Sequence, residues 1–371
     1  MKKVKLTKPK IIIAIILITV ISIAIFIQSN PYYIHLAMEL LNPDYQRPFI
    51  TFEKADYYGF AKHNENIVAA FRDNIKIYNK DLQEQETIFC SGVDPYVKTN
   101  GDNILVFYPS EKKAYLKTKK DEMNITTSYY ILNGTVNKNG YYAFVTEEKG
   151  FKSQVLVYDN KGNELYKWHS ADYYITDVSI SDDNTKMVVT AFTNDENQLK
   201  SSIMVFSFNE NKPVAKIEDK NSMFISAAYT DKNKINVVGD KKCGVYNSDL
   251  VKMWEDTYPS KQLFTYDITG ENIIIAYADT SSATDKVSVI IYSSGGKKKG
   301  EFISNGEIIG IDVSKGSILA YSKRQMYVLS ESGRVKRNLD VNVDISNAFL
   351  QDDGKSVFAV SNSVGKFYYL R

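Results

Sequence analysis

From about residue 50 to the C-terminus, β-branched and aromatic residues alternate with polar ones in short runs, separated by clusters of Asn, Asp, Gly and Lys. A period of two broken by turn residues predicts strands, and no stretch there has the longer period of an amphipathic helix. The first fifty residues read differently. Ile11 to Ile27 is IIIAIILITVISIAIFI, uncharged, with only Thr19 and Ser22 polar, and Tyr32 to Leu41 (YYIHLAMELL) predicts a short amphipathic helix before Asn42-Pro43.

The strand pattern repeats. One unit runs from 175 to 218 as ITDVSI, the turn SDDNTK, MVVTAF, a loop, IMVFSFN and VAKIE. Aligning the third strand of each unit sets Tyr78, Tyr115, Tyr158, Phe206, Tyr246, Tyr292, Leu329 and Tyr368 in register, at intervals of 37, 43, 48, 40, 46, 37 and 39 residues. Four strands in a period of about forty residues is the measure of a propeller blade. A lone four-stranded sheet cannot bury both faces, whereas sheets set radially cover one another. The expectation is therefore an all-β, eight-bladed β-propeller over 49–371, with seven blades if the first unit is irregular. The last unit stops after three strands, and Phe49 to Phe52 (FITF) is placed to supply the fourth and close the ring.

The apolar segment predicts an N-terminal transmembrane helix over 11–28. Seventeen residues span about 26 Å as a helix, a little short of a ~30 Å hydrocarbon core, and Lys10 and Gln28 can make up the difference at the interfaces. Lys2, Lys3, Lys5, Lys8 and Lys10 precede it, which keeps residues 1–10 in the cytoplasm. A cleaved signal peptide would have a shorter apolar run followed by small residues, and neither is present. Residues 29–48 then form a juxtamembrane stalk, and the propeller lies outside the cell. The Ile11–Ile27 segment makes the lipid bilayer the one partner read directly from composition.

Charge supports this division. Of 46 Lys and Arg, five precede the apolar segment, leaving 41 against 44 acidic residues, a balance of −3. A mildly acidic domain is no nucleic-acid binder. Two cysteines 153 residues apart, Cys90 and Cys243, do not make a disulfide scaffold, and three histidines without a Cys/His cluster leave no zinc site of familiar spacing.

VLVYDNKGNELYKW at 155–168 resembles the repeat of quinoprotein-like propellers, while ISDDNTKMVV and LQDDGKSVFAV resemble the first hairpin of WD40 and TolB-type blades. The whole layout resembles an uncharacterised family of membrane-anchored propellers of low-GC Gram-positive bacteria. The resemblance implies the fold and no reaction.

Candidate binding residues come from the segments that lead into each innermost strand. Ala55-Asp56-Tyr57-Tyr58 recurs as Ala171-Asp172-Tyr173-Tyr174, with Tyr129-Tyr130, Met223-Phe224 and Leu263-Phe264 in related positions. Tyr57, Tyr58, Tyr129, Tyr130, Tyr173, Tyr174, Phe224 and Phe264 would then ring the channel mouth, an aromatic rim for a protein partner or a cell-wall glycan. The blander alternative packs one member of each pair between blades and leaves the other in solvent.

Catalytic chemistry is hard to find. Asp182-Asp183 and Asp352-Asp353 sit in tight hairpins where Asp suits the turn. Trp168 and Trp254 fall on outer strands, His169 has no nucleophile beside it, and Lys297 to Lys299 form a Gly-flanked turn. The reading is a non-catalytic binding scaffold without cofactor or metal. The alternative is an exported quinoprotein-like or glycan-cleaving enzyme. Carboxylates facing the channel would favour the enzyme, an apolar and aromatic channel the scaffold.

Overall fold

The computed structural model describes residues 8–28, 31–42, 45–53, 58–195, 198–230, 232–279 and 286–370. Tyr57, Lys2, Lys3 and Lys5 lie outside the described residues. The chain forms two compact units, Met1–Phe49 and Ile50–Arg371.

The first unit holds two helices. Helix α1, Lys8–Gln28, has 21 residues and is about 31 Å long. Thr19 donates its hydroxyl back to the Ile15 carbonyl at 2.9 Å, so its one described hydroxyl bond stays within the helix. Among the described residues, taken with their side chains, no helix is long and apolar enough to cross a membrane. The fully described part of α1 is Ile13 and residues 15–26, all exposed. Helix α2, Pro31–Leu41, begins with proline at a position where its missing N–H costs nothing. The chain after α2 is held by Arg47, which donates to both carboxylate oxygens of Glu39 at 2.7 and 3.2 Å, and by a 2.6 Å hydrogen bond between His35 and Tyr45.

The second unit is eight four-stranded antiparallel sheets. Innermost strands are Gly59–His63, Tyr96–Asn100, Ile131–Val136, Tyr174–Ile180, Phe224–Tyr229, Ser260–Asp267, Gly310–Ser314 and Ile345–Leu350. These open blades 1 to 8. All eight reference positions of the repeat lie on third strands, from Asn74–Tyr78 to Val364–Tyr369. Second strands are covered on both faces by neighbouring blades, so they read as largely apolar runs, such as NILVF and SILAY, both buried throughout. Fourth strands touch water on one face, and EMNIT and VKRNLD alternate accordingly.

There is one apolar cluster per blade interface, eight in all among the described residues. Blade 8 takes its outermost strand from Phe49–Thr51, which pairs beside Val364–Tyr369 and completes the sheet with the start of the domain. Ile50, Phe60, Phe358 and Phe367 form the closing cluster between blades 8 and 1. Trp168 packs on Phe206 at 4.4 Å between blades 3 and 4, and Trp254 on Tyr292 at 5.5 Å between blades 5 and 6. Both are inter-blade wedges on fourth strands.

Candidate functional site

Five innermost strands carry a β-bulge near their start: between Ile131 and Asn133, Ile175 and Asp177, Phe224 and Ser226, Leu263 and Thr265, and Ile345 and Asn347. A bulge adds one residue on its strand and re-aims the next side chain. In blades 3, 4 and 5 the re-aimed residues are Asn133, Asp177 and Ser226, and they bond to one another around the channel. Asn133 donates its amide to Asp177 at 3.2 Å and to the Thr176 carbonyl at 3.0 Å, while the Ser226 hydroxyl donates to the other Asp177 oxygen. Burial pushes the Asp177 carboxyl up, against the pull of these donors.

Two more carboxylates face inward. Asp267 ends the innermost strand of blade 6, and one of its oxygens accepts the Thr269 N–H and hydroxyl, both at 2.9 Å. Asp312 of blade 7 accepts the Leu350 N–H of blade 8 at 2.7 Å. Burial raises both, Asp312 to about 6, where the nearby Asp267 charge adds to the rise. Cations come from the first two blades. Lys62 donates to Asp352 at 2.6 Å, the Leu350 carbonyl at 2.9 Å and Ser314 at 3.0 Å, tying blade 1 to blades 7 and 8. Lys98 of blade 2 lies near enough to Asp177 to lower its pKa. A cavity of about 790 Å³ fills the channel between blades 2 and 6. The channel is thus polar and carries carboxylates, not apolar and aromatic. Most of those carboxylate oxygens serve blade-to-blade or turn hydrogen bonds, and the described residues contain no cluster of three metal-ligating side chains.

The face where the chain crosses from each blade to the next carries the predicted aromatics, in three different settings. Tyr130 and Tyr174 are exposed, with Lys112 at 5.4 Å and Lys152 at 5.2 Å from their ring centroids, and Tyr174 stacks on Phe192 at 5.3 Å. Tyr129 and Tyr173 are half-buried, Tyr173 under Lys216. Tyr58 packs against Phe52 and Phe60 at 4.7 and 5.5 Å between the last blade and the first.

Phe224 sits one step, and Phe264 two steps, further along its strand than the expected alignment places it. The Phe224 N–H donates to the Ser201 hydroxyl oxygen at 2.8 Å, just as the Ile175 N–H donates to that of Ser153 at 3.1 Å. Phe224 therefore matches Ile175, and its ring is buried. Phe264 lies inside the Ser260–Asp267 strand, beside its bulge, half-buried against the cluster between blades 6 and 7. A shift of one residue exchanges the two faces of a strand. The true counterparts of Tyr130 and Tyr174 are Met223 and Gln262. Sequence reasoning also missed Tyr96, Leu132 and Phe151, exposed on the same face of blades 2 and 3.

Of the hairpin carboxylates, Asp183 and Asp353 do turn work, whereas Asp352 accepts from Lys62 and Ser314 of other blades and Asp182 accepts from Lys138 of blade 3 at 2.7 Å. Asp183 accepts from Ser181, Thr185 and Asn233 and is held at about 2, since these donors outweigh burial. Asp353 accepts the Lys355 and Ser356 N–H groups at 2.7 and 2.8 Å. His169 pairs with Glu148 and lies against Phe151 at 5.0 Å. Both cysteines are free, and burial pushes the Cys243 thiol up to about 12, far from a reactive thiolate.

A closed ring of eight four-stranded blades around a polar channel defines the chain as an eight-bladed β-propeller. By sequence, residues 49–367 match a family of unknown function, DUF5711, and the chain belongs to that family. No curated protein matches it. Among solved structures it is similar to the C-terminal WD40 domain of Sif2 (12% identity, TM-score 0.62, covering 87% of this chain and 99% of that one). BamB from Moraxella catarrhalis is similar at 10% identity and TM-score 0.54, covering 88% and 99%. Chaetomium thermophilum Sqt1 bound to the N-terminus of the ribosomal protein L10 is similar at 8% and 0.58, covering 86% and 98%. At such identities the likeness concerns the fold alone.

Proposed function

We propose that this protein is a non-catalytic binding propeller, held at the outer membrane surface by α1, whose crossover face takes a protein partner. The observation that carries the reading is the set of exposed apolar side chains at one end of blades 2 to 4: Tyr96, Tyr130, Leu132, Phe151 and Tyr174, each more than 40% exposed. Monomeric proteins seldom leave large apolar groups together on one face without a partner, and Tyr is enriched where partners dock. One similar propeller, Sqt1, was solved bound to the N-terminus of another protein, which is the kind of partner envisaged. The anchor reading draws on the length of α1, its uncharged sequence from 11 to 27 and the lysines before it.

An enzyme reading has one observation in its favour, the inward Asp267 and Asp312 on neighbouring blades. Against it, Asp312 is engaged by the Leu350 N–H and Asp267 by Thr269, and no nucleophile or metal cluster joins them among the described residues. The test of the binding reading is in-cell crosslinking followed by affinity isolation of the full-length protein. The Tyr96→Ser/Tyr130→Ser/Tyr174→Ser variant should retain its melting temperature and lose its crosslinked partner. Retention of the same partner at wild-type yield would overturn the proposal.

A further inference from the structure

The channel cavity adjoins the crossover face, with Tyr96 and Leu132 shared between them, but its chemistry points to a different ligand. Its volume of about 790 Å³ lies within the ~300–1,000 Å³ of small-molecule sites. Its lining mixes every kind of polar group with aromatic surface. Lys98 on blade 2 supplies an exposed ammonium with no ion-pair partner among the described residues. Asp177 and Asp267 supply carboxylates on blades 4 and 6. One Asp267 oxygen accepts from Thr269; the other makes no hydrogen bond among the described residues, although the residue lies deep among protein atoms. Phe264 and Tyr266, on the same strand as Asp267, add aromatic rings to the wall.

Each simpler ligand class fails on one of these features. A phosphate or other polyanion would meet three carboxylates, Asp177, Asp182 and Asp267, and a single lysine, and no arginine is among the described lining residues. A lipid or apolar ligand would leave the carboxylates and amides unpaired, at a high desolvation cost. A bare metal ion finds no cluster of three ligands among the described residues, and the ammonium stands against it. What remains is a ligand rich in hydroxyls that both donate and accept, with a stackable apolar face. Carboxylates bind hydroxyl donors strongly, ammonium binds hydroxyl acceptors, and aromatic rings pack against the C–H face of a pyranose.

We infer that the channel cavity binds a short oligosaccharide, with Asp267 and Lys98 as its polar anchors and Phe264 and Tyr266 as its stacking surface. The inference stands apart from the crossover-face reading and does not require it.

The experiment is isothermal titration of the full-length protein in lipid nanodiscs, free of maltoside detergent, with chitotriose and with maltotriose. Binding should saturate with at least one of them, the two arms separating an N-acetylated glycan from a plain glucan. Asp267→Asn and Lys98→Met should each weaken that binding at least tenfold while the melting temperature holds. If either variant melts early, saturation transfer from bound sugar to aromatic protons of the wild type gives the same answer without mutation. The Tyr130→Ser/Tyr174→Ser variant, which alters no residue lining the cavity, should bind the sugar normally, so retained partner capture by that variant with intact sugar binding fells only the scaffold reading. No saturation by either sugar up to about 10 mM, or affinities unchanged within twofold in both variants, would overturn the inference. Cleavage of the titrated sugar would keep the site and replace the scaffold by the enzyme.

Discussion

The closing contact of the ring can be measured. Lys62, at the end of the first innermost strand, donates three hydrogen bonds to groups of the last two blades, and Asp352 accepts from Lys62, from Ser314 at 2.8 Å and pairs with Lys315 at 3.1 Å. Burial alone would raise the Asp352 carboxyl, but these donors hold it at about 2 against an ordinary 3.8. At 1.36 kcal/mol per pH unit, that shift corresponds to at most about 2.4 kcal/mol. The side chains are 16% and 29% exposed, so solvent screening reduces the pair to about 1–2 kcal/mol. Because the folded pKa is depressed, this stability is present above pH 4 and is lost as pH falls through 2. Lys62→Met should cost about 2–4 kcal/mol at pH 7, since it strands Asp352 and the Leu350 carbonyl. A double-mutant cycle with Asp352→Asn, followed by urea unfolding with Trp fluorescence at pH 7, should return a coupling of about 1–2 kcal/mol. The coupling should shrink progressively below pH 4, to a small remainder at pH 2. A coupling below about 0.5 kcal/mol at pH 7, or one that grows on acidification, would refute this account of ring closure.

Asp312 behaves with the opposite sign. Its folded pKa of about 6 lies above the unfolded value, so its contribution is full below pH 4 and is lost as pH rises through 6. Asp312→Asn should therefore stabilise the protein by about 1–3 kcal/mol at pH 8 and do nothing at pH 4, as unfolding curves at the two pH values will tell. Gly333 sits at φ +75°, where an added Cβ would lie 2.3 Å from the Glu301 carbonyl oxygen of the preceding blade. Gly333→Ala should cost about 2–4 kcal/mol in the same assay, because backbone rather than a movable side chain must give way. Deleting residues 1–28 behind a cleavable export signal should move the protein from the carbonate-resistant membrane fraction to the soluble one; persistence in the membrane pellet would remove the anchor.

The architecture was legible because it rests on repetition. Tyr78, Tyr115, Tyr158 and their counterparts mark third strands that must be apolar wherever blades cover both faces, and the missing last strand was visible as FITF at the front of the domain. The rim was legible only in part. Whether an aromatic near a strand start faces water or a neighbouring blade depends on one residue of register, and the bulges that set this register have no marker in the local pattern. Tyr174 and Phe224 thus look equivalent in sequence, yet one is exposed and the other buried. The channel carboxylates were overlooked for a related reason. Asp177, Asp267 and Asp312 are single charges inside otherwise alternating strands, and only closure of the ring brings them to one axis.

The claim on which the functional account turns is that partners meet the crossover face. Photo-crosslinking amino acids placed singly at Tyr130, at Tyr174 and, at the opposite end, at Asn139 and Lys161 test it in the protein's own cells. The account predicts protein adducts from Tyr130 and Tyr174 and none from Asn139 or Lys161; adducts confined to the opposite end, or equal from both, would contradict it.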